Sequence, residues 1–206
     1  MRLPLAWTVV VLLLSTSPAA AHMALDGVGS LLNGLLHPFL VPAQVMLIAG
    51  LALMAGRHGY GAIRPALGSF IPGLLIGLVL SATPGGAQVS DSRGLEALIL
   101  LAGLGSGLML ALGLHPPLAK ITGAAAAAGF LIGLDSRVDG VAGWSAAQLY
   151  AGMLASGSIT TLHLVAVSAE IHTSRPEWMQ IALRVVGSWL AAIAVLILSL
   201  SVLAPR

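Results

Sequence analysis

Hydrophobic residues run along this chain in long blocks separated by short polar or turn-forming breaks. Six blocks lie near 39–55, 65–82, 94–114, 118–134, 146–168 and 185–203. Each approaches the roughly 20 residues an α-helix needs to cross a hydrocarbon core of about 30 Å. The breaks carry turn chemistry: Gly56-Arg57-His58-Gly59, Pro84-Gly85-Gly86, His115-Pro116-Pro117 and Thr173-Ser174-Arg175-Pro176-Glu177. A shorter apolar run, Leu5 to Leu14, follows Arg2 and ends at Ser15-Thr16-Ser17-Pro18. Ala19-Ala20-Ala21 then fits a small-residue cleavage site, so 1–21 reads as a signal peptide cut before His22. The predicted fold is all-α: a polytopic transmembrane helix bundle, residues 22–206, with six spans after a cleaved signal peptide.

The charges orient this bundle. A cleaved signal leaves His22 outside, so the connections after the first, third and fifth spans face the cytoplasm. Those connections and span edges hold Arg57, Arg64, Lys120, Arg175 and Arg184, whereas the outer ones hold Arg93, Arg137 and Arg206. The bias agrees with the positive-inside tendency and predicts a multi-pass protein of a bacterial-type inner membrane with its N-terminus outside. Asp26, Asp91, Glu96, Asp135 and Asp139 fall at the outer side, a rim of carboxylates suited to an arriving cation. Glycines recur at four-residue spacing in Gly73/Gly77, Gly103/Gly107 and Gly129/Gly133, the pattern that lets helix backbones approach closely in lipid.

Composition narrows the function classes. Hydrophobic residues make up 58% of the 206 and charged residues 8%, against roughly a quarter charged in a soluble domain. The lysines and arginines are scattered singly, so no basic patch exists for nucleic acid. The chain has no cysteine, hence no disulfide, thiolate metal site or cysteine nucleophile. Gly103-Leu104-Gly105-Ser106-Gly107 is no phosphate loop, because it lies inside an apolar span without the Gly-Lys-Ser/Thr that such a loop needs. Ser156 and His163 lie two turns apart on one helix, too far for direct activation of a serine nucleophile. The lipid bilayer is the first partner, and an enzyme is not expected.

Polar side chains inside spans are costly and invite a functional reading. Asn33, His37 and Gln44 share one side of the first span, where Pro38 and Pro42 remove backbone donors and leave carbonyls open to a cavity or ion. An imidazole ligand at a broken helix and an interfacial histidine at a helix start both fit. In the fifth span, Gly152, Ser156, Thr160 and His163 fall within one arc. That arc fits a polar path, but composition alone favours a packing face, where Ser and Thr join helices and His bonds a neighbouring carbonyl. After cleavage, the α-amine and imidazole of His22 could chelate one transition metal, set against an ordinary frayed terminus. His58, His115 and His172 read as solvated loop histidines, and Met46 and Met54 as core filler.

With these residues in view, the mature chain resembles the HupE/UreJ family of small membrane proteins, regarded as nickel or cobalt permeases or metal-supply accessories. The resemblance rests on Asn33-Gly34-Leu35-Leu36-His37-Pro38, on Tyr150-Ala151-Gly152 with Thr160-Thr161-Leu162-His163, and on Arg184-Val185-Val186-Gly187. The family's first motif is His-Pro-x-x-Gly-x-Asp-His, of which His37 and Pro38 match, while Val41, Ala43 and Gln44 replace the rest. Its fourth-span motif, His-Gly-x-x-His-Gly-x-Glu, appears as Ala128 to Asp135. There Gly129 and Gly133 survive, Ala128 and Ile132 replace both histidines, and Asp135 stands at the carboxylate.

The resemblance implies a permease for Ni²⁺ or Co²⁺ as transported cargo, with no permanently bound cofactor. The reduced metal set is then His37, His163, Asp135, His22 and Gln44. The other implied role is a non-transporting accessory that scaffolds metalloenzyme maturation, with a maturation partner or a second copy of the chain beside it.

Overall fold

The computed structural model describes residues 27–138 and 140–203. The predicted signal peptide, His22, Asp26, Asp139 and Arg206 lie outside the described residues. All regular structure among the described residues is helical. It comprises α1 (Ser30–Leu40), α2 (Pro42–Gly56), α3 (Ile63–Ser81), α4 (Pro84–Ser90), α5 (Arg93–Ala111), α6 (Leu118–Asp135), α7 (Gly143–Ser174) and α8 (Glu177–Leu203). A 3₁₀ turn, Tyr60–Ala62, leads into α3. Five helices are long and apolar enough to cross a membrane, and a sixth span forms if the bent pair α1–α2 is taken as one.

The bend is written in the sequence. A residue before proline is pushed out of the helical region. Val41 precedes Pro42 and adopts φ −107°, ψ 98°, which ends α1 and turns the chain by 73°. Pro42 then opens α2, where its fixed φ and missing N–H are no loss. Neither piece spans alone, since 11 and 15 residues reach only about 16 and 22 Å. By contrast, α7 has 32 residues and reaches about 48 Å, so its C-terminal turns project past a 30 Å core.

Without a hydrophobic drive between helices in lipid, close backbone packing holds the bundle. On α3 and α6, Gly73 and Gly77 face Ala126 and Phe130, and Gly129 and Gly133 face Phe70 and Leu74. A Cβ at any of the four would run into a facing carbonyl. Gly107 of α5 meets Gly187 of α8, and Gly34 of α1 meets α7 at Leu149. The interior is filled by Leu47, Phe70, Leu74, Ile99, Leu100, Ile132, Leu149 and Met153, while Leu75, Val79, Leu101, Trp189, Leu196 and Leu200 point outward as lipid-facing surface. Trp144 and Trp178, both exposed, stand at opposite ends of the bundle, where amphipathic rings favour the two membrane–water interfaces.

The helix ends sort the charges. Arg57, Arg64, Lys120, Arg175 and Arg184 gather where α2, α5 and α7 finish and α3, α6 and α8 begin; Arg93 and Arg137 lie at the opposite end with Asp91, Glu96 and Asp135.

Candidate metal site at the helix break

The polar centre of the bundle lies where α2 begins and α6 ends. Gln44, in the first turn of α2, is completely buried. Asp135 is the last residue of α6 and 3% exposed, and Ser136 beside it is 1% exposed. The Gln44 amide nitrogen donates to Asp135 Oδ2 at 2.9 Å and to Ser136 Oγ at 3.3 Å. Ser136 in turn donates to the Ile132 carbonyl at 2.6 Å. The amide oxygen of Gln44 is buried and has no hydrogen-bond partner among the described residues.

This pairing has a clear electrostatic logic. A buried carboxylate needs positive potential nearby, from a cation or from aimed N–H groups. Gln44 contributes to it as a neutral donor from the N-terminal, positive end of α2. Its free oxygen adds an acceptor next to the carboxylate, so the pair offers two kinds of oxygen to a cation that displaces the amide hydrogens.

His37 lies on α1 one turn before the break and is buried at 5% exposure. Asn33, one turn earlier, is also buried, and its amide donates to Val28 O at 2.9 Å. The break therefore carries His37 and Gln44 on adjoining helices in the interior. The first and fifth predicted spans are neighbours, since α1 crosses α7 at Gly34 and Gly152. His163 does not join them. It is exposed on the outer face of α7, with Nδ1 2.8 Å from the Ile159 carbonyl. Gly152 and Ser156, on the same arc, are buried. His22 lies outside the described residues. Ala128 and Ile132 belong to the apolar core, and Ala128 lines an apolar groove of about 340 Å³ between α2, α5 and α6.

The opposite end holds a second polar assembly. Gly113 sits at φ 71° beyond α5, and the Leu114 and Gly113 N–H groups return to the Met109 and Leu110 carbonyls at 3.0 and 3.1 Å, the Schellman ending. Arg57 donates to the Leu114 and Gly113 carbonyls at 3.0 and 3.2 Å, and Arg184 to the Ala111 carbonyl at 2.9 Å. Cations thus cover the negative end of α5. Burial, reinforced by the charge of Arg184, pushes the Arg57 pKa down. Burial also pushes the His115 pKa below the ordinary imidazole value, with the Arg57 charge adding to the effect. Tyr60 donates to Glu170, which also pairs with Arg175 at 3.4 Å. Sequence reasoning left His58, His115 and His172 as separate loop residues, yet they meet here. The only signal available was that all three connections lie at the same end.

Among the described residues, no group of three or more His, Asp or Glu side chains stands ready-set for a metal ion. Searches among curated proteins and among solved structures returned no match. The family model described as HupE / UreJ protein matches residues 10–197, and the chain belongs to that family.

Proposed function

We propose that the protein is a multi-pass permease of a bacterial-type inner membrane that moves a divalent transition-metal ion, Ni²⁺ or Co²⁺, with its N-terminus outside. Family membership supports a nickel- or cobalt-related membrane role. The observation that carries the transport reading is the buried Gln44–Asp135 pair at the junction of a broken helix. An intramembrane carboxylate is a functional feature by default, and this one stands at the carboxylate position of the family motif. Gln44 occupies the place of a motif histidine. The ion is cargo: one carboxylate and an amide oxygen, with His37 buried on the helix before the break, bind it weakly enough for release. A dication gains about 2.3 kcal/mol per charge per 100 mV on moving inward, which supplies a driving force without nucleotide hydrolysis.

The test is nickel and cobalt uptake by cells expressing the wild type, Asp135→Asn or His37→Ala, normalised to membrane abundance. Loss of uptake at unchanged abundance supports transport; unchanged uptake in both variants removes it.

A second reading, a non-transporting accessory for metalloenzyme maturation, is favoured by one observation. Ala128 and Ile132, at the motif's histidine positions, are built into the hydrophobic core. Under that reading neither substitution alters uptake, while Gly129→Leu or Gly133→Leu disrupts assembly.

A further inference from the structure

The groove of about 340 Å³ between α2, α5 and α6 has small residues on two of its walls: Ala102 and Gly105 on α5, Ala124 and Ala127 on α6. Small residues on facing helices ordinarily let two backbones close together. Here the walls stay apart, and a Cβ built on Gly105 meets no atom within 4 Å. The groove opens onto the surface of the bundle, where Met109, Ala124 and Ala127 are exposed. Ser106, a polar residue of the wall, turns its hydroxyl to the Gly103 carbonyl at 2.9 Å, which leaves the interior of the groove apolar.

The groove has a direction. It starts at the arginine-rich end of the bundle, at Pro116 and Lys120, and stops at Ala102, midway along α5, and at Leu131 on α6. From Lys120 to Leu131 the α6 wall rises about 16 Å, close to half of a hydrocarbon core of about 30 Å. A partner transmembrane helix needs a furrow across the whole core, whereas an acyl chain from one leaflet needs half of it. The mouth is positive. Lys120 lines it, is exposed, and enters no ion pair among the described residues. It also stands in the first turn of α6, where Pro117 provides no side-chain cap, so the positive end of that helix faces the same place. No aspartate or glutamate is among the lining residues.

We propose that this groove holds one acyl chain of an anionic phospholipid, with the headgroup phosphate against Lys120 and the N-terminus of α6. An apolar wall gains dispersion contacts from a hydrocarbon chain that completes it. The groove therefore fixes where the chain lies, and the cationic mouth selects the headgroup. Basic pockets between transmembrane helices bind anionic headgroups on this principle. Arg57 and Arg184, at the same end, are tied to the carbonyls that finish α5, which leaves Lys120 as the lining cation that meets the phosphate. The lipid bridges α5 and α6 where their side chains do not meet. The site stands whether or not the protein transports.

The experiment adds phosphatidylglycerol, or phosphatidylcholine with the same acyl chains, to the purified full-length protein in detergent and counts retained lipids by native mass spectrometry. Wild type should retain one phosphatidylglycerol per chain in preference to phosphatidylcholine. Lys120→Gln should weaken phosphatidylglycerol binding about fivefold and leave phosphatidylcholine binding unchanged. Arg64→Gln, which removes an exposed cation at the same end but outside the groove, should change neither. Gly105→Leu, which fills the groove, should remove the retained lipid, and Gly68→Leu, at an equally open position on α3, should keep it. Both leucines enter open space, so both variants fold. Equal retention of the two lipids by wild type, unaltered phosphatidylglycerol binding in Lys120→Gln, or lipid still retained in Gly105→Leu would each overturn the proposal. So would a wild-type dimer that Gly105→Leu dissociates, which would give the groove to a second copy of the chain.

Discussion

Gln44 and Asp135, 91 residues apart in sequence, form a buried amide–carboxylate pair at 2.9 Å. Removing the donor strips a charge-assisted bond from a carboxylate that has little access to water. Gln44→Ala is expected to destabilise the protein by about 2–3 kcal/mol. Asp135→Asn, which removes the charge and keeps the shape, should cost less. Denaturant unfolding of both variants in the same detergent checks the order; an equal or reversed order would show that Asp135 does not depend on this amide.

The α3–α6 crossing separates glycines that must be glycine from those that need not. A Cβ at Gly133 would overlap the Leu74 carbonyl, and one at Gly77 the Phe130 carbonyl, whereas Gly123 has nothing within 4 Å. Gly77→Ala and Gly133→Ala should each lower the melting temperature markedly. Gly123→Ala should be neutral or stabilising by up to about 1 kcal/mol, since alanine loses less backbone entropy in a helix. Thermal unfolding monitored by circular dichroism distinguishes them.

The replaced motif histidines can be put back. Ile132 is one turn before Asp135 on α6, so Ile132→His with Gln44→His would set two imidazoles near the carboxylate. The double variant should lose roughly 1–3 kcal/mol without metal, because it buries polar groups in an apolar core. Ni²⁺ should bind at least about tenfold more tightly than to wild type, a gain of about 1.4 kcal/mol. Unfolding of the metal-free variant reads the first effect and calorimetric titration the second, and no gain in affinity would detach this locus from metal binding.

His163 faces outward, with Nδ1 on its own helix at the Ile159 carbonyl. His163→Ala should therefore change stability by less than about 0.5 kcal/mol and leave metal uptake unchanged. A clear uptake defect at normal abundance would mean that His163 acts at a surface shared with another chain.

Gly113 holds φ 71° at the end of α5 and positions the loop that carries His115. Alanine in that left-handed conformation costs about 1–2 kcal/mol. Gly113→Ala should lower the melting temperature, because it disturbs the α5 ending whose carbonyls Arg57 and Arg184 hold. An unchanged melting temperature in thermal unfolding would show that this end of α5 does not depend on the left-handed turn.

The sequence makes the helices and their tightest crossings legible, because block hydrophobicity and four-residue glycine spacing are local signals. Gly73, Gly77, Gly129 and Gly133 do pack against one another's helices. The break at Val41 is also readable, since Pro42 restricts the residue before it. The fate of His163 is not. Periodicity places it on the arc of Gly152 and Ser156, but burial depends on which neighbour covers each height: α1 covers Gly152 through Leu31 and Leu35, and His163 lies farther along α7. The meeting of Gln44 with Asp135, and of His58 with His115 and His172, depends on tertiary contacts that no local pattern encodes.

The arginines at the end of α5 also have a mechanical consequence. Arg57 follows α2 and Arg184 belongs to α8, yet both grip carbonyls on the same terminal stretch of α5. These three helix ends are strapped into one plate, and sliding any of them means breaking charged hydrogen bonds together. The α3–α6 pair forms a second stiff unit, locked by backbone against backbone. Between the two units runs the apolar groove bordered by Met109, Ala124 and Ala128, where α5 and α6 leave space between them. At the other end of the bundle the buried Gln44–Asp135 bond ties α2 to α6, so the two units are pinned together at one end and parted by an apolar gap toward the other.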